Sequence, residues 1–285
     1  MSTVDTRLGR RKVRTSSLLA DLGTVLLVIF AVFPLLWFLY TSFRHESDII
    51  QRATSLIPRG LTLANYVEAW GQADFPKLLL NSLIVSAATV LVSLSLATLA
   101  AYSLSRARFR GRGGLMGVYL AVRVVPGVLL LIPIYILMQQ VHLLDSRIGL
   151  VLTYTTFTLP AAVWFMKGFF DSLPADLEDA ARVDGCTRTG ALVRVVLPLV
   201  RPGLAASGVL VAIEAWNDVL FALLLTSTTR SRTWPVGMKL LIGEFQLPWG
   251  QLAAATILTL VPVIIGFALA GRSMVSGLMT GGLKE

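Results

Sequence analysis

Charged and amide side chains interrupt two apolar stretches of the chain, and their chemistry suits recognition of a polar group. Arg123 lies in one stretch, and Glu214, Trp216, Asn217 and Asp218 lie in another. A charge near the centre of a bilayer costs about 2.5 to 3.5 kcal/mol on insertion scales, so these groups are expected to face a cavity, a partner or one another. Spacings of three and four residues place Glu214, Asn217 and Asp218 on one predicted helical stripe.

Motifs for covalent or hydrolytic chemistry are absent from the sequence. No Gly-Lys pair occurs, so the phosphate-binding loop G-x-x-x-x-G-K-[ST] cannot form and any ATP must be hydrolysed by another polypeptide. Neither His45 nor His142 lies in a cluster of carboxylates or cysteines at metal-ligand spacing, and no G-x-S-x-G nucleophile motif is present. The chain is therefore predicted not to be an enzyme and to bind no cofactor or metal itself.

Composition predicts a lipid-facing surface. The 285 residues are 55% hydrophobic and 14% charged, with a mean hydropathy of +0.74, whereas soluble domains have about 25% charged residues. The net charge of +9 does not indicate nucleic-acid binding, because Lys and Arg cluster beside apolar runs and form no patch interleaved with aromatic residues. The excess of Lys and Arg over Asp and Glu is better explained by its role in setting the orientation of membrane-spanning helices.

Six apolar windows are long enough to cross a hydrocarbon core, which takes roughly 20 helical residues. They lie at about 18–43, 78–105, 115–139, 148–170, 203–228 and 251–271. Since lipid cannot satisfy backbone amides and the short alternating strands of a barrel are missing, the sequence predicts an all-α integral membrane protein with six transmembrane helices. A basic arm at 1–17, one membrane domain at 18–271 and a tail at 272–285 complete the predicted organisation.

Orientation follows from the excess of Lys and Arg that marks cytoplasmic loops. Basic residues are concentrated in the N-terminal arm, in the 106–113 loop and between residues 171 and 201. Both termini and the 171–202 segment are therefore predicted to be cytoplasmic.

The 171–202 segment has the features of two short helices. Pro174 suits a first helical position, Asp176, Glu178 and Asp179 favour the positive end of a helix dipole, and Gly185 suits a C-terminal cap. Small alanines beside these acids leave one face open to close approach by another protein. An amphipathic helix lying on lipid is the alternative, but it would be expected to have a basic polar face.

This segment resembles the EAA loop of binding-protein-dependent ABC importer permeases, whose pattern is E-A-A, three residues, G, nine residues, I, any residue, L-P. Asp179, Ala180, Ala181, Gly185, Val195, Leu197 and Pro198 occupy that register, with Asp in place of Glu and Val in place of Ile. The resemblance implies a coupling helix at about Pro174–Asp184 that docks on a partner ATPase. Its expected coupling residues are Glu178, Asp179, Ala180, Ala181, Asp184, Gly185, Leu197 and Pro198.

The C-terminal quarter is similar to maltose-type permeases, the second channel subunit of carbohydrate importers, through Trp234-Pro235-Val236-Gly237, Trp249-Gly250, Pro262 and the glycine-rich ending. The resemblance covers essentially the whole chain and implies the type I ABC importer permease fold in a bacterial cytoplasmic membrane. It also implies a homologous second permease, two ATPase subunits that bind ATP and Mg, and an external sugar-binding protein reached by the Thr229–Gly250 loop. Gly281 and Gly282 would contact the ATPases.

The intramembrane polar residues fit three interpretations. They could hydrogen-bond sugar hydroxyls in the pathway, form an Arg123–acid pair that locks two helices, or contact the partner permease. The Trp216-Asn217-Asp218 run resembles a Trp-Asn-Glu run at the same place in sugar permeases. A permease for a polyol or glycerophosphodiester is the nearest alternative function, and a stand-alone secondary transporter is disfavoured because the sequence shows no repeat.

Overall fold

The computed structural model describes residues 15–51, 57, 60–71, 74–242 and 247–281, which form helices joined by short loops. No strand occurs among these residues, although Arg44 and Leu61 form one isolated antiparallel bridge. The all-α prediction is thereby confirmed. The α-helices are α1 (Thr15–Ser42), α2 (Glu46–Gln51), α3 (Ala64–Gly71), α4 (Phe75–Arg106), α5 (Arg112–Val122), α6 (Leu131–Gln140), α7 (Arg147–Asp171), α8 (Asp176–Val183), α9 (Arg188–Ala191), α10 (Leu197–Leu199), α11 (Arg201–Asn217), α12 (Leu220–Leu225), α13 (Trp234–Leu241) and α14 (Trp249–Gly281).

Four of the described helices are long and apolar enough to cross a membrane: α4, α7, and the parts of α1 and α14 at Ala20–Ser42 and Trp249–Gly271. They coincide with the first, second, fourth and sixth predicted windows. A bent pair, Arg188–Leu199 and Arg201–Asn217, meets at 76° and would add a fifth crossing if counted as one span. The count of six and the cytoplasmic placement of the termini stay predictions.

The third and fifth predicted windows are interrupted. In the third, α5 ends at Val122, Pro126 precedes a 3-10 turn at Gly127–Leu130, and α6 follows. In the fifth, α11 ends at Asn217, Asp218 is extended and α12 begins at Leu220. The prediction of one continuous helix over 203–228 is therefore wrong. The Asp218 carboxylate accepts a hydrogen bond from the amide of Ala222 at 3.0 Å, and a short acidic side chain that binds nearby amides in this way competes with the helical pattern.

The core lies where α4, α7 and α11 pack against one another. Val163, Met166 and Phe170 of α7 are buried with Val196 in one apolar cluster, and a hydroxyl contact between Ser93 and Thr158 at 2.8 Å joins α4 to α7. Helix α1 packs against α14, and most of its apolar side chains from Leu22 to Leu39 are exposed. Such a surface suits lipid or another membrane protein.

Candidate functional site

The acidic segment after α7 folds as a helix, a tight turn and a second helix. Helix α8 ends at Val183 with Asp184 as its C-cap, in a Schellman motif in which the amide of Cys186 donates to the carbonyl of Ala181 at 3.0 Å and the amide of Gly185 donates to the carbonyl of Arg182 at 3.1 Å. Gly185 has φ +90, a conformation that glycine adopts without strain. The predicted helix and its glycine cap are confirmed, although α8 starts at Asp176, two residues later than expected.

The second helix runs continuously from Arg188 to Leu199 and contains a π-helical turn at Leu192–Val196. Thr187 caps its start by accepting a hydrogen bond from the amide of Gly190 at 3.1 Å. Pro198 is the second residue after the π turn, and because it has no amide hydrogen it explains the local break in the regular hydrogen-bond ladder. The Leu-Pro pair of the motif thus lies just before the 76° bend into α11.

The two adjacent acids of α8 point in different directions. Glu178 faces α4, where its carboxylate binds the Arg106 guanidinium at 2.6 Å and the Tyr102 hydroxyl at 2.6 Å. Asp179 faces solvent with a side chain that is 70% exposed, and it pairs with Arg182 of the same helix at 3.4 Å. An exposed pair of this kind contributes little to stability.

The outward face of α8 is small, partly apolar and acidic. Ala180 is exposed whereas Ala181 is buried, and Val183 is 87% exposed at the end of the helix. Asp184 is also exposed beside it. This face can receive an apolar and basic groove of another protein at close range, because the small side chain of Ala180 lies at its centre.

The intramembrane polar residues form two separate groups, so the single predicted stripe is wrong. Arg123, at the break after α5, forms an ion pair with Glu214, and both side chains are about 40% exposed. Asp218, beyond the end of α11, instead accepts a hydrogen bond from the Tyr154 hydroxyl at 2.9 Å. Asn217 donates to the carbonyl of Ile213 within its own helix.

Trp216 is buried and lies apart from both groups. Its carbonyl accepts a hydrogen bond from the indole of Trp234 at 3.1 Å, and the two ring centroids are 6.1 Å apart. This contact therefore joins the start of α13 to the end of α11. Of the predicted tail contacts, Gly281 is the last residue of α14, and Gly282 lies outside the described residues.

Asp145 organises a site that the sequence does not reveal. It lies between α6 and α7, and its carboxylate accepts hydrogen bonds from the amides of Ser227 and Thr228 at 3.0 and 3.1 Å, from the Thr228 hydroxyl at 2.7 Å and from the Ser231 hydroxyl. Burial alone would raise the pKa of this carboxyl, but the hydrogen bonds outweigh burial and hold the pKa well below its ordinary range. The charged carboxylate of Asp145 therefore holds the loop at residues 227–231 in place.

Asn81 and Ser82, near the start of α4, hold the same loop from another side. The Asn81 amide donates to the carbonyls of Thr229 and Arg232 at 3.0 and 2.8 Å, and the Ser82 hydroxyl accepts from the amide of Trp234 at 2.8 Å. No local motif surrounds these residues, so only long-range packing identifies them. We call residues 226–234 the anchored loop.

Comparison with known proteins identifies one family of membrane transport proteins. The family model described as "Binding-protein-dependent transport system inner membrane component" matches residues 93–273. The chain is 37% identical to the sulfoquinovosyl glycerol transport system permease protein SmoH of Agrobacterium fabrum, over 100% of both chains. It is 33% identical to the trehalose/maltose transport system permease protein MalG of Thermococcus litoralis, over 94% of this chain and 96% of that protein.

A solved structure shares the fold. A chain of a bacterial ABC transporter involved in the import of the acidic polysaccharide alginate superposes with a TM-score of 0.77 at 22% identity, over 94% of this chain and 99% of that chain. A second structure, of a bacterial alginate ABC transporter in complex with an alginate pentasaccharide-bound periplasmic protein, superposes with a TM-score of 0.58 at 19% identity, over 89% of this chain and 95% of that chain.

Proposed function

The chain belongs to the family of binding-protein-dependent transport system inner membrane components, and we propose that it is the permease subunit of an ABC importer that passes a sugar or oligosaccharide into a bacterial cytoplasm. It spans the cytoplasmic membrane with six segments, of which the third and fifth are broken. Both termini and α8 face the cytosol.

The relatives support a carbohydrate as the solute. Their names refer to a glycoside of glycerol in one case and to trehalose and maltose in the other, and the transporter with the shared fold is involved in alginate import. These molecules share a polyhydroxylated ring and differ in charge and size. The proposal is therefore for the class, with the individual sugar selected by the external binding protein.

The observation that most supports the proposal is the outward face of α8. A chain without a phosphate-binding loop presents a short helix, capped at its C-terminal end, whose exposed centre is Ala180, flanked by Asp179 and Val183. That face would dock in a groove of a separate ATPase, where ATP and Mg are bound. ATP-driven closure of two ATPase subunits would then move α8 and the membrane helices attached to it.

The remaining partners follow from the other surfaces. A homologous second permease and lipid would share the exposed apolar faces, and the binding protein would approach the segment around Thr229–Gly250. Gly281 and Gly282 would extend the tail toward the ATPases. Within the membrane, we assign Arg123 and Glu214 to a lock between the third and fifth segments beside the solute pathway, because they are joined across 91 residues.

Affinity purification from native membranes tests this function. The tagged chain should co-purify with an ATPase, identified by mass spectrometry through its phosphate-binding loop. Ala180→Trp places a bulky side chain at the centre of the exposed face without altering buried packing, and it should release the ATPase because it blocks close approach. Ala180→Ser, the matched control, should retain it.

Two results would refute the proposal. One is a chain that purifies without any ATPase under conditions that preserve membrane complexes. The other is transport of sugar by the purified chain alone in vesicles, since the proposed mechanism has no energy source without the ATPase.

A further inference from the structure

Helix α4 is a single unbroken helix of 32 residues without an internal proline, unlike the other long helices described. Helices α1, α7 and α14 each contain an internal proline, at Pro34, Pro160 and Pro262, whereas α4 has neither proline nor glycine after its first turn. Internal prolines remove a hydrogen bond and allow kinks. Among the four, α4 is therefore the element best suited to transmit a displacement along its length.

The cytoplasmic end of α4 is clamped to α8. Tyr102 and Arg106 lie one turn apart on α4, and together they bind both carboxylate oxygens of Glu178. Arg106 also donates to the carbonyl of Leu173 at 3.1 Å. One guanidinium group therefore binds both α8 and the loop that joins α7 to α8. The Tyr102 ring packs edge-on against Phe170, which is fully buried.

This clamp is shielded from solvent. The side chains of Glu178 and Arg106 are only 12% and 20% exposed, whereas those of the Asp179–Arg182 pair are 70% and 50% exposed. Partial burial strengthens a charged pair relative to one in water. Among the described ion pairs, Arg106–Glu178 is the one that joins α8 to a membrane-spanning helix.

The opposite end of α4 holds the anchored loop. Asn81 is fully buried and donates to two carbonyls of that loop, and Ser82 accepts an amide hydrogen from Trp234. Asn81 and Arg106 are separated by about 38 Å along the helix, at 1.5 Å per residue. One rigid element thus makes specific polar contacts with α8 at one end and with the anchored loop at the other.

We propose that α4 is a mechanical connector between the ATPase-docking helix and the anchored loop, with Glu178 and Arg106 as positioning residues at one end and Asn81 at the other. The inference rests on the proposed function. When the ATPases move α8, the clamp displaces α4 along with it, and the loop held by Asn81 follows. In this assignment Glu178 acts within the chain, and Asp179 and Ala180 are left to contact the ATPase.

A fluorescence experiment on the assembled transporter tests the connector. The complex of this chain with its partner permease and ATPases is placed in nanodiscs, with an environment-sensitive dye on Arg230→Cys in a Cys186→Ser background. Arg230 is exposed in the anchored loop, so the dye reports on that loop. MgATP with vanadate is the ligand added, and the measured quantity is the change in dye emission that it produces.

Glu178→Gln keeps the size of the side chain and removes its charge. In complexes that still contain the ATPases, we expect it to reduce the emission change at least about 5-fold, which is the lower end of the coupling usually found between distant sites. Lys167→Gln is the matched control, because it breaks an ion pair within α7 at the same end of the protein and should leave the emission change intact.

A double variant separates the connector from two independent local effects. Asn81→Ser shortens the donor at the far end of α4, and it should reduce the emission change as well. Substitutions at distant, independent sites have additive effects on a measured free energy. If both residues act through α4, the double variant Asn81→Ser with Glu178→Gln should therefore reduce the emission change no more than the more severe single variant does. Additive losses would overturn the proposal.

Other outcomes also decide between the possibilities. An unchanged emission response in Glu178→Gln, or an unmodified complex that gives no response, would refute the connector while leaving the importer function intact. Loss of ATPase binding in Glu178→Gln would assign Glu178 to docking instead and would likewise overturn it. Failure of the unmodified chain to bind any ATPase would refute the proposed function itself.

Discussion

Replacing Asp145 with Asn should loosen the anchored loop without disturbing the backbone that positions it. Asp145 has φ +51, and Asn tolerates that left-handed conformation at least as well as Asp. The amide oxygen can still accept from the Ser227 and Thr228 amides, which lie 3.0 and 3.1 Å from the carboxylate. The substitution therefore removes mainly the negative charge.

The size of the effect follows from the four hydrogen bonds that the carboxylate accepts. A hydrogen bond to a charged group contributes about 1.5 to 3 kcal/mol and a neutral one about 0.5 to 1.5 kcal/mol, a difference of roughly 1 kcal/mol per bond. Solvent contact at this site screens the charge, so about half of the total, or ~2 kcal/mol, is expected to be lost. At 1.4 kcal/mol per tenfold change, local opening becomes about 30-fold more frequent.

Hydrogen exchange measures this opening directly, because two of the donors are backbone amides. Mass spectrometry of the purified chain in detergent should show the peptide containing Ser227 and Thr228 exchanging about 30-fold faster in Asp145→Asn. Asp74→Asn is the matched control, since Asp74 also has a positive φ but makes no side-chain capping bond. Equal exchange in the unmodified chain and in Asp145→Asn would refute the role assigned to the carboxylate.

Three further predictions follow from other contacts. Because the pKa of Asp145 is lowered in the folded chain, its carboxylate contributes fully to loop stability above the ordinary Asp pKa of about 3.9, and this contribution is lost only as the pH falls through the lower folded pKa. Amide exchange rates of the anchored loop, corrected for the intrinsic pH dependence of exchange, should therefore be constant from pH 7 to 5 in the unmodified chain. A loss of protection near pH 6 would contradict this. Cys186, the only cysteine, should react with a membrane-impermeant maleimide only after cells are permeabilised, whereas Arg230→Cys in a Cys186→Ser background should react in intact cells. Arg123→Ala leaves the Glu214 carboxylate without its partner, so it should lower the thermal stability of the purified chain more than the double variant Arg123→Ala with Glu214→Ala does. A double variant that is less stable than Arg123→Ala alone would exclude the lock between the two segments.

Features that depend on local sequence could be predicted well. The length of the apolar windows located α1, α4, α7 and α14, because crossing a membrane imposes a minimum run of apolar residues. The glycine at 185 indicated the end of α8, because few other residues adopt its φ without strain. The spacing of the residues around that glycine also indicated the family.

Features that depend on contacts between distant segments could not be predicted. Periodicity could not show that Asp218 breaks its helix, because an acid on an apolar helix has the same pattern whether it caps a turn or faces a pathway. Sequence alone could not divide Glu178 and Asp179 between an inward and an outward face, since that depends on where Arg106 lies. The bonds from Asp145 to the anchored loop connect residues more than 80 positions apart, with no local motif at either end.

Site-specific cross-linking from α8 tests the central claim most directly. Ala180 and Ala181 are adjacent, but only Ala180 is exposed, so a photoreactive maleimide on Ala180→Cys in a Cys186→Ser background probes the outward face and Ala181→Cys provides the buried control. In native membranes, the label on Ala180→Cys should capture a polypeptide that contains a phosphate-binding loop, with little product from Ala181→Cys. Products formed only with lipid, or with a protein from outside the cell, would contradict the account.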